Sequence, residues 1–322
     1  MAVLPVAIML VLGASMAAAD APKLSFPVDC ALGETCYIQN YVDRDPSPGY
    51  ADFGCGALSY DGHKGTDIAL RSRAAMAAGV AVYAAAAGTV RGTRDGMADK
   101  VYTADDAEAL EGRDCGNGLV IDHGQGWQTQ YCHLRRGSLA VQSGDAVAAG
   151  DLIGQVGLSG RTQFPHLHIS VRKDGEPVDP FQPDGRTACS DTGAALWADD
   201  IAYSPGGMID AGFSPALPDY DAIKAGTAAS AGLRREAEAL VMWVYLYGGR
   251  EGDRIVFDVD GPDGPFLDQT TELTRTQAQL FRAVGRKRRA QDWTDGIYTG
   301  TATLIRGTVE IDRISTQVVV AR

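Results

Sequence analysis

Pro165-His166-Leu167-His168-Ile169-Ser170-Val171-Arg172 is the stretch whose pattern sets both fold and chemistry. Leu167, Ile169 and Val171 recur at the period of two that marks a half-buried strand. As a strand, the segment turns its apolar side chains to a core and both imidazoles to the other face, so that His166 and His168 converge on one cleft.

Short strands punctuated by glycine surround this one, at 80–85, 88–92, 118–122, 127–134, 151–156 and 166–172. Residues 141–153 read V-x-x-G-D-x-V-x-x-G-D-x-I, each Gly-Asp pair a turn between brief apolar stretches. The pattern predicts an all-β domain with a barrel-like or sandwich core over residues 20–190. A polar insertion at 94–114 interrupts it, as a solvated surface loop or as a wall or lid beside the cleft, and 104–110 predicts one or two helical turns capped by Thr103. Glycine, proline and alanine dominate 191–227, which reads as a linker. Alternating segments at 240–247, 254–259, 277–283, 296–304 and 314–320 then predict a second domain over 228–322, an immunoglobulin-like β-sandwich. Trp243, Tyr245 and Tyr247 share one strand parity, as core packing or as a sugar-stacking stripe. The basic run Arg286-Lys287-Arg288-Arg289 reads as a charged hairpin tip, or as a contact for an anionic envelope polymer.

The chain has 322 residues, enough for about two domains. Its 29 basic residues against 41 acidic ones give a net charge of -12, which repels phosphate backbones and excludes nucleic acid as the expected partner. Residues 3–12 are almost entirely apolar, and the small residues that follow end in Ala17-Ala18-Ala19, the pattern of a signal peptide over 1–19 cleaved after Ala19. No Lys or Arg precedes the apolar run, and the run is too short for a permanent membrane span. The expected location is periplasmic or secreted. Six cysteines suit export and imply disulfides, with fifteen connectivities if all pair. Cys30 and Cys36 can close a small loop around Gly33, Cys115 and Cys132 flank a hairpin, and elimination leaves Cys55 with Cys189. No C-x-x-C pair favours a zinc-thiolate site.

Four of the five histidines fall in three compact patterns: Gly62-His63-Lys64-Gly65-Thr66-Asp67, Tyr131-Cys132-His133-Leu134 and the stretch at 165–168. His63 and Asp67 share strand parity and can add a nitrogen and a carboxylate oxygen to the cleft of His166 and His168. Three such ligands plus water is the donor set of a catalytic zinc site. His123, at a hairpin tip, is assigned no role. If Ile121 pairs with Gly126, the same register sets Cys115 opposite Cys132, and Tyr131 and His133 share the face away from Cys132.

These patterns resemble, in order and spacing, the lysostaphin-type or LytM-domain zinc metallopeptidases: H-x-G-x-D at 63–67, Y-x-H-L at 131–134 and P-H-L-H-I at 165–169. The resemblance covers roughly residues 52–181. It implies a LytM-type antiparallel β domain, one zinc ion per chain, and cleavage of peptide cross-links in bacterial cell-wall peptidoglycan by a zinc-activated water. It assigns His63, Asp67 and His168 as metal ligands, and His133 and His166 as catalytic residues. Spacing alone does not separate ligand from catalyst within His166-Leu167-His168. Arg161-Thr162-Gln163-Phe164 replaces the small Ser-Thr-Gly run common in related sequences, which implies a reshaped substrate groove. The alternative function is a catalytically silent LytM-type regulator of a separate wall amidase, though all five positions are filled. Residues 30–52 could fold over the cleft and bring Asn40 or Asp43 near the metal. The C-terminal domain leaves room for a protein or glycan ligand.

Overall fold

Runs of Val, Ile and Leu at alternate positions do form strands; those of the second lobe run longer than the sequence pattern suggests, while 80–85 and 151–156 shorten to 81–83 and 152–155. The computed structural model describes residues 21–185 and 195–322. The expected signal peptide and Cys189, with its pairing to Cys55, fall outside the described residues. In the first lobe β1 (Cys36–Asn40), β2 (Thr66–Leu70), β3 (Ala81–Tyr83), β4 (Gly88–Arg94), β5 (Asn117–Gly124), β6 (Trp127–Leu134), β7 (Ala146–Val147), β8 (Leu152–Gln155), β9 (His166–Lys173) and β10 (Glu176–Val178) follow in order. Helix α1 (Arg73–Ala78) follows β2, and α2 (Ala107–Leu110) lies between β4 and β5.

The main sheet runs β1-β2-β9-β6-β5-β4-β7, with β10 on the far half of β9, and every pair in it is antiparallel. Its order has two ends, so it is an open sheet and not a closed barrel. The β3–β8 ribbon packs on it through Val82 and Ile153, both wholly buried. The polar insertion forms its short helix where expected. Asp106 accepts from the backbone and hydroxyl of Thr103, both at 2.9 Å, closing the cap.

Among the described residues, those read as a linker are not one. Gly207–Ser214 is strand β11, and the wholly structured Leu196 and Trp197 are buried in the first core. Proline and glycine on both sides of β11 mask the short apolar run Met208, Ile209, Ala211 and Phe213 within it. Helix α3 (Tyr220–Ala225) follows, then β12 (Leu233–Arg234), β13 (Ala239–Gly249), β14 (Arg254–Gly261), β15 (Gly264–Glu272), β16 (Gln277–Lys287), β17 (Gly296–Arg306) and β18 (Val309–Ala321). A three-stranded sheet, β11-β13-β16, faces a five-stranded one, β12-β18-β17-β14-β15, across a shared apolar core. The β12–β18 pair is parallel and the others are antiparallel.

Strand β13 is buried on both faces, and this joins the lobes. Met242, Val244 and Leu246 enter the second core, while Trp243, Tyr245 and Tyr247 enter the first. The ring of Tyr247 lies 4.5 Å from that of Tyr37 on β1. The aromatic stripe is therefore interior packing between lobes, and it offers no surface for stacking sugars.

Candidate metal centre and catalytic cleft

Strands β2 and β9 bring the first candidate ligands together. Their register sets Asp67 opposite His168 and Ala69 opposite His166, and residues paired across strands project to the same face. Asp67 Oδ1 comes within 2.8 Å of His168 Nδ1. As expected, Leu167, Ile169 and Val171 point the other way, into the core. His63 departs from expectation: β2 begins at Thr66, so His63 arrives from a loop and not from a strand of shared parity. Gly62, at a φ of 73°, turns the chain there. Gly65 lets it pass close to β9, since a Cβ at that position would stand 2.6 Å from His168 Cε1 and Nε2.

His63 Nε2 lies 3.2 Å from both Asp67 Oδ1 and His168 Nδ1. Ligand atoms about 2.0–2.1 Å from a tetrahedral zinc are roughly 3.3 Å apart, so these three separations suit three corners of such a site. The other polar atom of each residue is already engaged. His63 Nδ1–H donates to the Tyr41 carbonyl at 2.7 Å, His168 Nε2–H donates to Ser170 Oγ at 3.0 Å, and Asp67 Oδ2 accepts from Asn40 Nδ2 at 2.9 Å. Those bonds leave His63 Nε2, His168 Nδ1 and Asp67 Oδ1 with lone pairs aimed at one point. Among the described residues this is the one group of three such donors that converges.

The electrostatics follow from burial and proximity. Burial opposes charge on Asp67, but the imidazoles of His63, His166 and His168 hold its carboxyl well below the usual range. Burial pushes His63 down and the Asp67 carboxylate more than offsets it, for a net rise. Burial lowers His168 despite the same carboxylate.

His133 reaches the cleft by breaking strand alternation. The β6–β9 register sets Tyr131 opposite Ile169, on the core face, and Cys132 opposite His168, on the cleft face. A regular strand would return His133 to the core beside Tyr131. Its φ of 61°, rare for a residue with a side chain, turns it instead toward the cleft. There its Nδ1–H donates to the Ser159 carbonyl at 2.8 Å. Burial, then the neighbouring imidazoles of His166 and His168, hold its pKa well below the ordinary histidine value. The expectation that Tyr131 and His133 share a face, away from Cys132, is corrected by this twist.

The hairpin register is corrected as well. Ile121 pairs with Thr129, not Gly126, because Gln125 and Gly126, both at positive φ, form a two-residue turn closed by Gly124 and Trp127. Cys115 and Cys132 are bonded nonetheless, as are Cys30 and Cys36. Bulges along β5–β6 absorb the difference. His123 bonds the Ala87 carbonyl and Thr129 Oγ1 and stays away from the cleft.

His166 faces His133 with ring centroids 4.6 Å apart. Its Nδ1 bonds the Phe164 carbonyl at 3.0 Å and Thr162 Oγ1 at 3.1 Å, and Phe164 stacks on its ring at 4.5 Å. The unusual Thr162-Gln163-Phe164 run thus fixes the orientation of His166. Residues 30–52 form a wall, not a plug. Asn40, on β1, holds the outer oxygen of Asp67, and Asp43 accepts from the backbone of Asp45, Ala51 and Gly62 to shape the loop before His63. Ser170, Ser159 and the Tyr41 carbonyl were not legible beforehand; among them only Ser170, two residues past His168, carries a signal in its spacing. His63, His133 and His168 open onto a cleft of about 500 Å³, lined also by Tyr60, Lys64, Arg161 and Arg172 among others, with Asp67 and His166 buried behind them.

Residues 61–180 match the model described as Peptidase family M23. The chain is 43% identical over 65 residues to a DD-carboxypeptidase/endopeptidase Mpg of Neisseria meningitidis, covering 20% of this chain and 14% of that protein. It is 38% identical over 82 residues to the peptidoglycan DD-endopeptidase ShyA of Vibrio cholerae, covering 24% and 19%. The matched stretches span under a fifth of the length of these curated relatives. A solved zinc containing peptidase from Vibrio cholerae overlaps 45% of this chain and 39% of its own, at 28% identity and a TM-score of 0.28.

Proposed function

Residues 61–180 belong to peptidase family M23, and on that premise we propose that the protein is an exported zinc metalloendopeptidase that hydrolyses peptide cross-links of bacterial cell-wall peptidoglycan. The observation that carries the reading is the meeting of His63, Asp67 and His168 at tetrahedral spacing, with His133 on the same open cleft and the His166 ring beside it at 4.6 Å. A zinc ion held by that triad supplies Lewis acidity, polarising a carbonyl and lowering the pKa of water to roughly 7.

The chain's own residues supply the rest. The bond from His133 Nδ1–H to Ser159 leaves Nε2 with a lone pair, and burial keeps the ring neutral, so Nε2 can accept a proton. His166, anchored through Nδ1, sets its Nε2 3.4 Å from Asp67 Oδ1, beside the candidate metal position. An imidazole that has taken a proton can donate it to the departing amine nitrogen or to the carbonyl oxygen as negative charge builds. The twist at His133 and the aromatic stack on His166 hold both rings in place before substrate arrives.

The export reading rests on residues 1–19, and among the described residues no helix is long and apolar enough to cross a membrane. We read the second lobe as an immunoglobulin-like accessory domain, beginning at β11 and not after it. Digestion of purified peptidoglycan by the zinc-loaded protein, with mass analysis of the products, tests the function. Cut cross-bridges from wild type and none from His166→Ala support the enzyme. Intact wall from both would leave the silent regulator standing.

A further inference from the structure

An endopeptidase cuts within a chain, so its substrate extends on both sides of the reacting groups. One side is the cleft described above. A second cavity, of about 410 Å³, has walls from both lobes: Gln39, Asn40 and Phe164 from the first, and Lys224, Gln277 and Ala278 from the second, among others. Asn40 and Phe164 tie it to the reacting groups, because Asn40 bonds Asp67 and Phe164 stacks on His166.

The second lobe is fixed firmly at this point. Gln39 donates to the Ala278 carbonyl at 3.1 Å, and Gln279 donates to Gln39 Oε1 at 2.9 Å and to the Tyr37 hydroxyl at 3.0 Å. Gln279 Oε1 in turn accepts from the Tyr245 hydroxyl at 2.6 Å. These bonds run between β1 and the start of β16, one residue from the Asn40 that holds Asp67. The cavity is therefore a built feature of the lobe contact.

Its charge is also informative in a chain of net charge -12. No carboxylate lines it, and Lys224 is the one charged group among the described residues that does. The nearest acid, Asp221, is shared. Arg73 takes it through both carboxylate oxygens at 3.2 and 3.3 Å, and Lys224 Nζ reaches it only at 3.4 Å. The trio keeps one positive charge in excess, and Lys224 presents it to the cavity. Side-chain amides from Gln163 and Gln277 offer donors and acceptors for a peptide backbone.

We propose that the cavity between the lobes is a substrate subsite that receives one arm of the peptide, with Lys224 pairing to a carboxylate on that arm. This rests on the peptidase reading, and gives the second lobe a direct part in substrate selection. Binding and cleavage test the two separately. Soluble cross-linked peptidoglycan fragments are titrated calorimetrically into full-length His166→Ala protein, in forms with free and with amidated side carboxylates. The free form should bind about fivefold tighter, as expected for a partly exposed ion pair. Lys224→Ala on that background should erase the difference, and Ala278→Trp, which fills the cavity, should weaken both forms. In the otherwise wild-type enzyme, both changes should raise KM with kcat and zinc content preserved. Equal binding of the two forms by a folded Lys224-containing protein, or an unchanged KM in both variants, would overturn the subsite. Fragment binding that responds to Lys224 without any cleavage by wild type would keep the subsite and sink the peptidase.

Discussion

The two lobes are built from the same material and do different things with it. Both are antiparallel sheets with alternating apolar faces, yet the first buries His63, Asp67, His133, His166, Asn40 and Ser170 around one point, whereas the second buries little polar beyond Asp253, Ser214 and Thr303. All five histidines lie before residue 169. In the second lobe the buried charge is closed on itself: Asp253 takes Arg306 through two bonds, at 2.8 and 2.9 Å. In the first, the buried donors are satisfied on their outer side and left open on the inner. The comparison teaches that the sheet provides rigidity to both lobes, and that the open inner side of the polar cluster makes a site.

The contrast can be broken most forcefully at His133. His133→Ala should reduce peptidoglycan cleavage on the order of a thousandfold, the scale for losing a group that acts in the transition state, while metal content by mass spectrometry stays near one per chain. Loss of the metal instead would make His133 a ligand. In the second lobe, Asp253→Ala strands Arg306 and should cost about 3 kcal/mol in denaturant unfolding, with metal content unaffected in the folded protein. A matching loss of metal would show that the lobes do not divide the labour as described. Asn40→Ala and Ser170→Ala remove outer bonds to the ligands and should weaken metal binding about tenfold in a chelator competition; unchanged affinity would mean that these bonds do not orient the donors. The smallest effect is expected at Thr301→Ala, where an exposed hydroxyl meets Ser315 at 3.1 Å on the outer sheet. Its stability should move by less than about 0.5 kcal/mol, and a larger change would argue that this face is covered.

Much of the first lobe was legible because one-sided burial writes a period of two into the sequence. The core-facing Leu167, Ile169 and Val171 and the cleft-facing imidazoles of β9 are read directly from that rule. It fails where the backbone leaves it. His133 depends on a positive φ, and the hairpin register depends on Gln125 taking a conformation that favours glycine. Strand β11 was hidden by the breakers around it, and β1 and β2 by contact on both faces, since all five residues of each are buried and no alternation survives. The cluster of His63, Asp67, His133, His166 and His168 was legible through its spacing and residue types, while the division of His166 and His168 between catalyst and ligand came only from the family resemblance. The parts played by Tyr41 and Ser159 were not legible, because a backbone carbonyl far along the chain leaves no local pattern; Asn40 was expected near the metal, and it holds Asp67.

Anomalous diffraction from zinc-soaked crystals of the full chain tests the central claim most directly. The account predicts a single strong peak within about 2.0–2.2 Å of His63 Nε2, Asp67 Oδ1 and His168 Nδ1, with its remaining position toward the cleft that holds His133 and His166. A peak elsewhere, or a fourth protein side chain closing that position, would contradict it.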